Sequence, residues 1–260
     1  MNPILTQLAK TRRVVFVEGR DFQILSRFAR KLGVSGVANR RDFAVVSVEG
    51  FNPERVRNLK AGMETTLGAK ILTAVVLDRD YRSDMECASI GNDCGTFCDS
   101  VTIHKCKEIE NFLLVASALD RAASRRVADA AKRGGEVKTY RADIEKVLDQ
   151  FSDAKKSYVM SRFLAERRRF ERTNSPGKDE AEVHEEGLNS FETLWGNPRS
   201  RLDLVPGKEA LAFINKHLQE SYGVSITPTA VVEAMYSEEM PQEMVTLIRR
   251  LEEFSATSRI

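Results

Sequence analysis

The strongest constraint on this chain is the alternation of short apolar runs with helix-period segments between residues 13 and about 114. Val14-Val15-Phe16-Val17 is a buried-strand run that ends in Glu18-Gly19. Phe22, Ile24, Leu25, Phe28, Ala29 and Leu32 then follow a helical period, and Gly33 supplies the stop. Phe43-Ala44-Val45-Val46-Ser47-Val48 reads as a second strand. Asn52-Pro53-Glu54 reads as a helix start with Pro53 at the first helical position. A third strand, Leu72-Thr73-Ala74-Val75-Val76-Leu77, runs directly into Asp78-Arg79-Asp80. A helix around residues 84–90 and a short strand, Val101-Thr102-Ile103-His104, complete the pattern. Strands alternating with helices predict an α/β fold, a parallel sheet with helices on its faces.

Beyond Asn111 the pattern turns helical. Val147, Leu148, Phe151, Ala154 and Tyr158 step along one face of a helix expected over residues 142–171. Thr173-Asn174-Ser175-Pro176-Gly177 breaks it. Residues 179–192 then hold six acids and no Lys or Arg, an exposed loop or a solvated helix. Helices at about 208–220, 229–236 and 241–254 follow the turn at Gly196-Asn197-Pro198. A length of 260 residues allows one to two domains. The change of pattern predicts an α/β domain over residues 1–120 and a mainly helical domain over 121–260.

Composition excludes several function classes. Forty basic residues against thirty-eight acidic ones leave a formal charge of +2, so any nucleic-acid surface must be a local patch. No run approaches the ~18 uncharged apolar residues of a membrane span. The first ten residues lack a signal-peptide pattern, so a soluble cytoplasmic protein without a membrane partner is expected. No G-x-S-x-G elbow, Walker A loop or H-E-x-x-H spacing occurs. Cys87, Cys94, Cys98 and Cys106, with His104 among them, suggest a zinc site. Their spacing contains no C-x-x-C pair, and one face of a buried helix explains Cys87, Cys94 and Cys98 as well, so core cysteines are the expectation.

Carboxylates are left to carry the chemistry. Glu18 closes the first strand; Asp78 and Asp80 close the third, two residues apart, so both can point to one side. Ligands of open parallel sheets bind outside the carboxyl ends of the strands. Three carboxylates converging there, if their strands are neighbours, call for cations between them, and Mg²⁺ or Mn²⁺ suits oxygen ligands. Singly, each acid reads as a helix cap or a solvated loop residue. Lys105-Cys106-Lys107-Glu108-Ile109-Glu110-Asn111-Phe112 brings two more acids to the end of the fourth strand, where a charged helix start is the plainer explanation.

These residues carry a family resemblance. A strand ending in Glu-Gly, a later one ending in Asp-x-Asp, and the alternation between them resemble the Toprim domain of topoisomerases, bacterial primases and certain nucleases. Lys107-Glu108-Ile109-Glu110-Asn111-Phe112 and Pro206-Gly207-Lys208 resemble segments of the OLD (overcoming lysogenisation defect) family nucleases. In that family a Toprim nuclease follows an N-terminal ABC-type ATPase and carries a helical addition. The Toprim part of the resemblance spans about residues 13–114, and the helical remainder matches in character and in the one motif Pro206-Gly207-Lys208. One departure is that many relatives have an acid four residues after the first Glu, where this chain has Phe22 and places Asp21 one position earlier.

The resemblance implies a metal-dependent DNA endonuclease that nicks and cleaves by a two-metal mechanism. Glu18, Asp78, Asp80 and Lys208 would be catalytic, and Glu18, Asp21, Asp78, Asp80, Glu108 and Glu110 would hold two divalent cations, Mg²⁺ or Mn²⁺. Lys208 would offset charge on the phosphate, although on sequence alone it is an ordinary helix-start lysine. DNA, an ATPase domain outside this chain and a second copy of the chain are the expected partners; the chain is then a C-terminal fragment or a stand-alone relative. Residues 155–172 hold seven basic residues against Glu166 and Glu171. Lys107, Arg167, Arg168 and Arg169 are the expected DNA contacts. The alternatives are a Toprim module that binds DNA or a protein without cutting, and a primase-like nucleotidyl transferase.

Overall fold

The computed structural model describes residues 3–50, 52–134 and 138–256. In chain order the first elements are α1 (Pro3–Thr11), β1 (Arg13–Glu18), α2 (Phe22–Lys31), α3 (Ser35–Ala38), β2 (Ala44–Val48), α4 (Pro53–Leu67), β3 (Leu72–Leu77), α5 (Asp84–Gly95) and β4 (Ser100–Ile103). A 3₁₀ turn, Ile109–Leu113, leads into α6 (Ala116–Lys132), α7 (Ile144–Asn174), α8 (Glu180–Gly196), α9 (Pro198–Leu204), α10 (Gly207–Tyr222), α11 (Pro228–Ala234) and α12 (Gln242–Ala256). The fold is the expected α/β one, a parallel sheet flanked by helices and followed by a helical region. Among the described residues no helix is long and apolar enough to cross a membrane.

The chain forms two compact units that interleave in sequence, residues 1–78, 84–104 and 241–260 in one, and 79–83 with 105–240 in the other. The first unit holds the sheet. Its four strands are all parallel in the order β2-β1-β3-β4. β1 and β3 are central, and both are buried along nearly their whole length, as strands covered on both faces must be. Val14 and Phe16 of β1 share a face with Val75 and Leu77 of β3, and Leu8, Val56, Cys94 and Cys98 complete that core. Val15 and Val17 are equally buried on the other face. α12 packs against α2 and α3, so the end of the chain belongs to the unit of the sheet.

Local chemistry sets the element ends. Asn52 accepts a hydrogen bond from the Arg55 amide at 3.2 Å and Pro53 fills the first turn of α4, as its sequence predicts. Asp99 Oδ2 accepts from the Thr73 amide at 2.7 Å just ahead of β4. In the second unit α8 packs on α7. Val183, Gly187, Phe191 and Trp195 form its buried stripe, and Phe191 meets Phe163 at a centroid distance of 5.7 Å. The acid-rich segment is therefore the outer face of an amphipathic helix.

The four cysteines are unbridged thiols; Cys94, Cys98 and Cys106 are buried and Cys87 half-buried. Burial pushes the Cys94 thiol up to about 11 and the Cys98 thiol up to about 12. Buried thiols stay protonated where unfolded ones ionise, so folded stability falls as pH rises above the ordinary thiol range. A disulfide reagent at pH 8 is expected to titrate Cys87 alone in the folded protein, and four thiols in denaturant; rapid native reaction of Cys94 or Cys98 would contradict the packing. Elemental analysis is expected to find zinc well below one equivalent.

Candidate functional site

The carboxyl edge of the sheet brings two of the sequence-identified acids together within the first unit. β1 and β3 are hydrogen-bonded neighbours, with Val17 opposite Val76, so the residues that follow them emerge side by side. Glu18 Oε1 accepts a hydrogen bond from the Asp78 amide at 3.2 Å. Gly19, at φ +44°, turns the chain immediately after Glu18, a conformation that an L side chain rarely takes. Asp21 opens α2 but makes no side-chain capping bond to it, so the helix-cap explanation does not account for this acid. Asp21 is 5% exposed and Asp78 6%, unusual burial for carboxylates at a sheet edge.

The remaining site residues lie in the second unit. Asp80 adopts φ +53°, a left-handed conformation that few non-glycine residues hold without support. Its amide donates to the Lys107 carbonyl at 2.8 Å, and Arg82 Nη1 lies 2.9 Å from its Oδ2. Glu108 is buried, with each oxygen committed. Oε1 accepts from the Lys208 amide in the first turn of α10 at 2.6 Å, and Oε2 meets Lys107 Nζ at 2.7 Å. Glu110 Oε2 is buried and accepts no hydrogen bond, while Lys208 Nζ stands 3.7 Å from it. Burial raises the Glu110 pKa and the Lys208 ammonium opposes that rise. Lys208 itself is 61% exposed at its side chain.

Asn111 holds these groups in place. Its Nδ2 donates to the carbonyls of Leu202 at 2.7 Å and Val205 at 2.8 Å, and its Oδ1 accepts from the Glu108 amide at 3.0 Å. A Cβ on Gly207 would lie 2.8 Å from the Asn111 amide nitrogen and 2.9 Å from its Oδ1, so only glycine permits this approach. Sequence inspection found Asn111 and Gly207 inside larger motifs without finding that each exists to meet the other. No spacing rule marks Tyr81 and Arg82 as neighbours of the acids, or Tyr158 as a neighbour of Tyr81.

The expected DNA contacts are engaged inside the second unit. Lys107 pairs with Glu108 and lies 5.6 Å above the Tyr81 ring. Arg167 donates to Ser190 Oγ at 2.8 Å, Arg168 reaches both oxygens of Glu180, and Arg169 pairs with Glu166. Among the described residues no three His, Cys, Asp or Glu side chains are gathered tightly enough to hold a metal ion as they stand. The donor chemistry nevertheless suits a hard divalent cation, because every donor is a carboxylate and the buried Glu110 Oε2 accepts no hydrogen bond.

No family model matches the chain, and no curated protein sequence matches it. Two solved structures of the C-terminal region of the Xanthomonas campestris pv. campestris OLD protein, one phased with platinum and one with iodine, are similar to it. The first is 13% identical over 96% of both chains with a TM-score of 0.42. The second is 14% identical over 95% of this chain and 96% of the other, with a TM-score of 0.39. At that level of likeness, function has to be argued from this chain's own side chains.

Asn111→Ala removes three hydrogen bonds and leaves two carbonyls and an amide buried without partners, so it is expected to lower unfolding free energy by about 3 kcal/mol. Gly207→Ala is expected to cost about 1–3 kcal/mol by forcing the same approach apart. Urea midpoints of both variants measure this; wild-type midpoints would remove Asn111 as the organiser of the second unit's acids.

Proposed function

We propose that this chain is a divalent-metal-dependent endonuclease acting on DNA phosphodiesters. The observation that carries the reading is the pairing of Glu18 with the Asp78 amide where two central parallel strands end, with Asp80 two residues on in a left-handed backbone conformation. Buried carboxylates need hydrogen bonds or positive charge to offset their desolvation, and this is the edge where open parallel sheets take their ligands.

Glu18, Asp21 and Asp78 are the carboxylates of the first unit that would hold metal; Asp80 and Glu110 are those of the second unit to which the resemblance gives the same role. When bound, Mg²⁺ or Mn²⁺ supplies charge neutralisation and an acidified water at the phosphodiester. The chain's own groups do the rest. Glu108 anchors the first turn of α10 and so positions Lys208, acting on the reaction through that lysine. Lys208, exposed and close to Glu110, can turn its ammonium toward a phosphate oxygen as negative charge builds there. Arg167, Arg168 and Arg169 would contribute phosphate contacts only by exchanging their present partners. A second reading, a module that binds DNA without cutting, is favoured by one observation: among the described residues no three His, Cys, Asp or Glu side chains stand gathered for a metal.

Plasmid cleavage in Mg²⁺ or Mn²⁺, with and without chelator, decides between the two. Asp78→Ala and Glu18→Ala are expected to abolish cleavage while the thermal midpoint moves little, and Lys208→Ala to slow single-turnover cleavage by about 10²-fold with DNA binding in Ca²⁺ retained. Cleavage at the wild-type rate by both carboxylate variants would sink the metal proposal. Metal-independent binding with no cleavage would establish the second reading.

A further inference from the structure

The second unit exposes an aromatic surface beside these groups. Tyr158, on α7, is 43% exposed, and the ammonium of Lys155 and the guanidinium of Arg162 lie 5.4 Å and 5.7 Å from its ring centroid. Lys155 also reaches Glu209 Oε2 at 2.5 Å, which fixes this face of α7 against the first turn of α10, next to Lys208. Tyr81, the residue after Asp80, is the link on the other side. Its ring lies under Lys107 Nζ, and its hydroxyl oxygen is buried without a hydrogen-bond partner. Tyr158, Glu108 and Asp80 lie close to it.

Cations three and four residues from a tyrosine on a helix also arise as ordinary neighbour pairs. Two features exceed that explanation. A large ring remains exposed between the cations, and a buried phenol beside it goes unsatisfied, when buried tyrosine hydroxyls ordinarily find a partner. An exposed ring flanked by positive charge is what an unpaired base needs, since every base has a face to stack and each neighbouring phosphate a cation to meet. A paired base inside a duplex has no open face to offer.

We infer that Tyr158 is a stacking platform for an unpaired base of single-stranded DNA, with Arg162 taking one adjoining phosphate and Lys155 another on exchanging Glu209 for it. The inference rests on the nuclease reading for its choice of DNA, and it gives that reading a substrate preference: strands with unpaired nucleotides beside the scissile bond.

The test compares wild type, Tyr158→Ala and Tyr158→Phe in Ca²⁺ at fixed ionic strength, by fluorescence anisotropy with a labelled 20-nucleotide strand and with its duplex. Tyr158→Ala is expected to weaken single-strand binding about tenfold and duplex binding less than twofold, while Tyr158→Phe keeps both. With 2-aminopurine in the strand, wild type and Tyr158→Phe should quench its fluorescence and Tyr158→Ala should not, a signature that a merely structural role would not move. Equal losses on strand and duplex, no loss on either, or a wild type that does not bind the strand would each overturn the platform. Plasmid cleavage by wild type and Asp78→Ala is read in parallel. Absent cleavage with intact Tyr158-dependent quenching defeats the nuclease reading and leaves the platform; normal cleavage with no Tyr158 effect does the reverse.

Discussion

The parallel pairing of β1 with β3 determines what the carboxyl edge of the sheet can be. In the observed register Val17 faces Val76, so Glu18 and the Asp78 amide come within hydrogen-bonding reach as both strands end. A one-residue slip would carry Val14 and Phe16 to the wrong face and turn Val15 and Val17 into the Cys94 side of the core. The apolar alternation that buries the sheet therefore also fixes the spacing of its acids. Stability and the carboxylate geometry are secured by the same residues, so conservative core substitutions that preserve register should preserve both.

In the second unit a neutral amide plays the corresponding part. Asn111 satisfies two carbonyls ahead of α10 and receives the Glu108 amide, and Gly207 allows the close approach that makes this possible. Organising this region with uncharged groups leaves its charges in a tense arrangement. Glu110 sits buried with a raised pKa, Lys208 projects outward, and Asp80 keeps an unfavourable backbone angle under the restraint of the Lys107 carbonyl. Glu110, already desolvated, gains more from a nearby cation than a solvated carboxylate would.

Much of this was legible in the sequence, for definite reasons. The four strands were read nearly to the residue because β-branched runs bounded by turn chemistry admit few other structures, and Asn52-Pro53 announced its helix through capping. α1, α3, α6 and α9 are not legible, since their short or alanine-rich apolar patterns give little periodic signal. α8 is half-legible: its acids are conspicuous, while the spacing of four from Val183 through Gly187 and Phe191 to Trp195, which makes it a packed helix, is masked by them. The candidate acids at strand ends were visible because position along a strand is a local property. The commitments of Arg167, Arg168 and Glu108 were not, because their partners Ser190, Glu180 and Lys208 come from distant sequence and only packing selects them.

Those commitments redistribute the positive charge that the sequence concentrates near residues 167–169. Lys156 meets Glu192, Arg168 meets Glu180, Arg169 meets Glu166 and Lys178 meets Glu186, so the paired helices α7 and α8 neutralise much of their own surface. Each exposed pair contributes at most about 1 kcal/mol to stability. Together they lower the local potential and so reduce the pull of this face on a polyanion. Arg162 differs from these cations: its described neighbour is the Tyr158 ring and hydroxyl rather than a carboxylate. A nucleic acid approaching α7 thus meets least competition for positive charge at the one position where an exposed aromatic ring is also available. Charge density along the sequence points to the arginine run; charge left uncompensated after folding points a helical turn or two earlier, to Arg162 and the Tyr158 ring beside it.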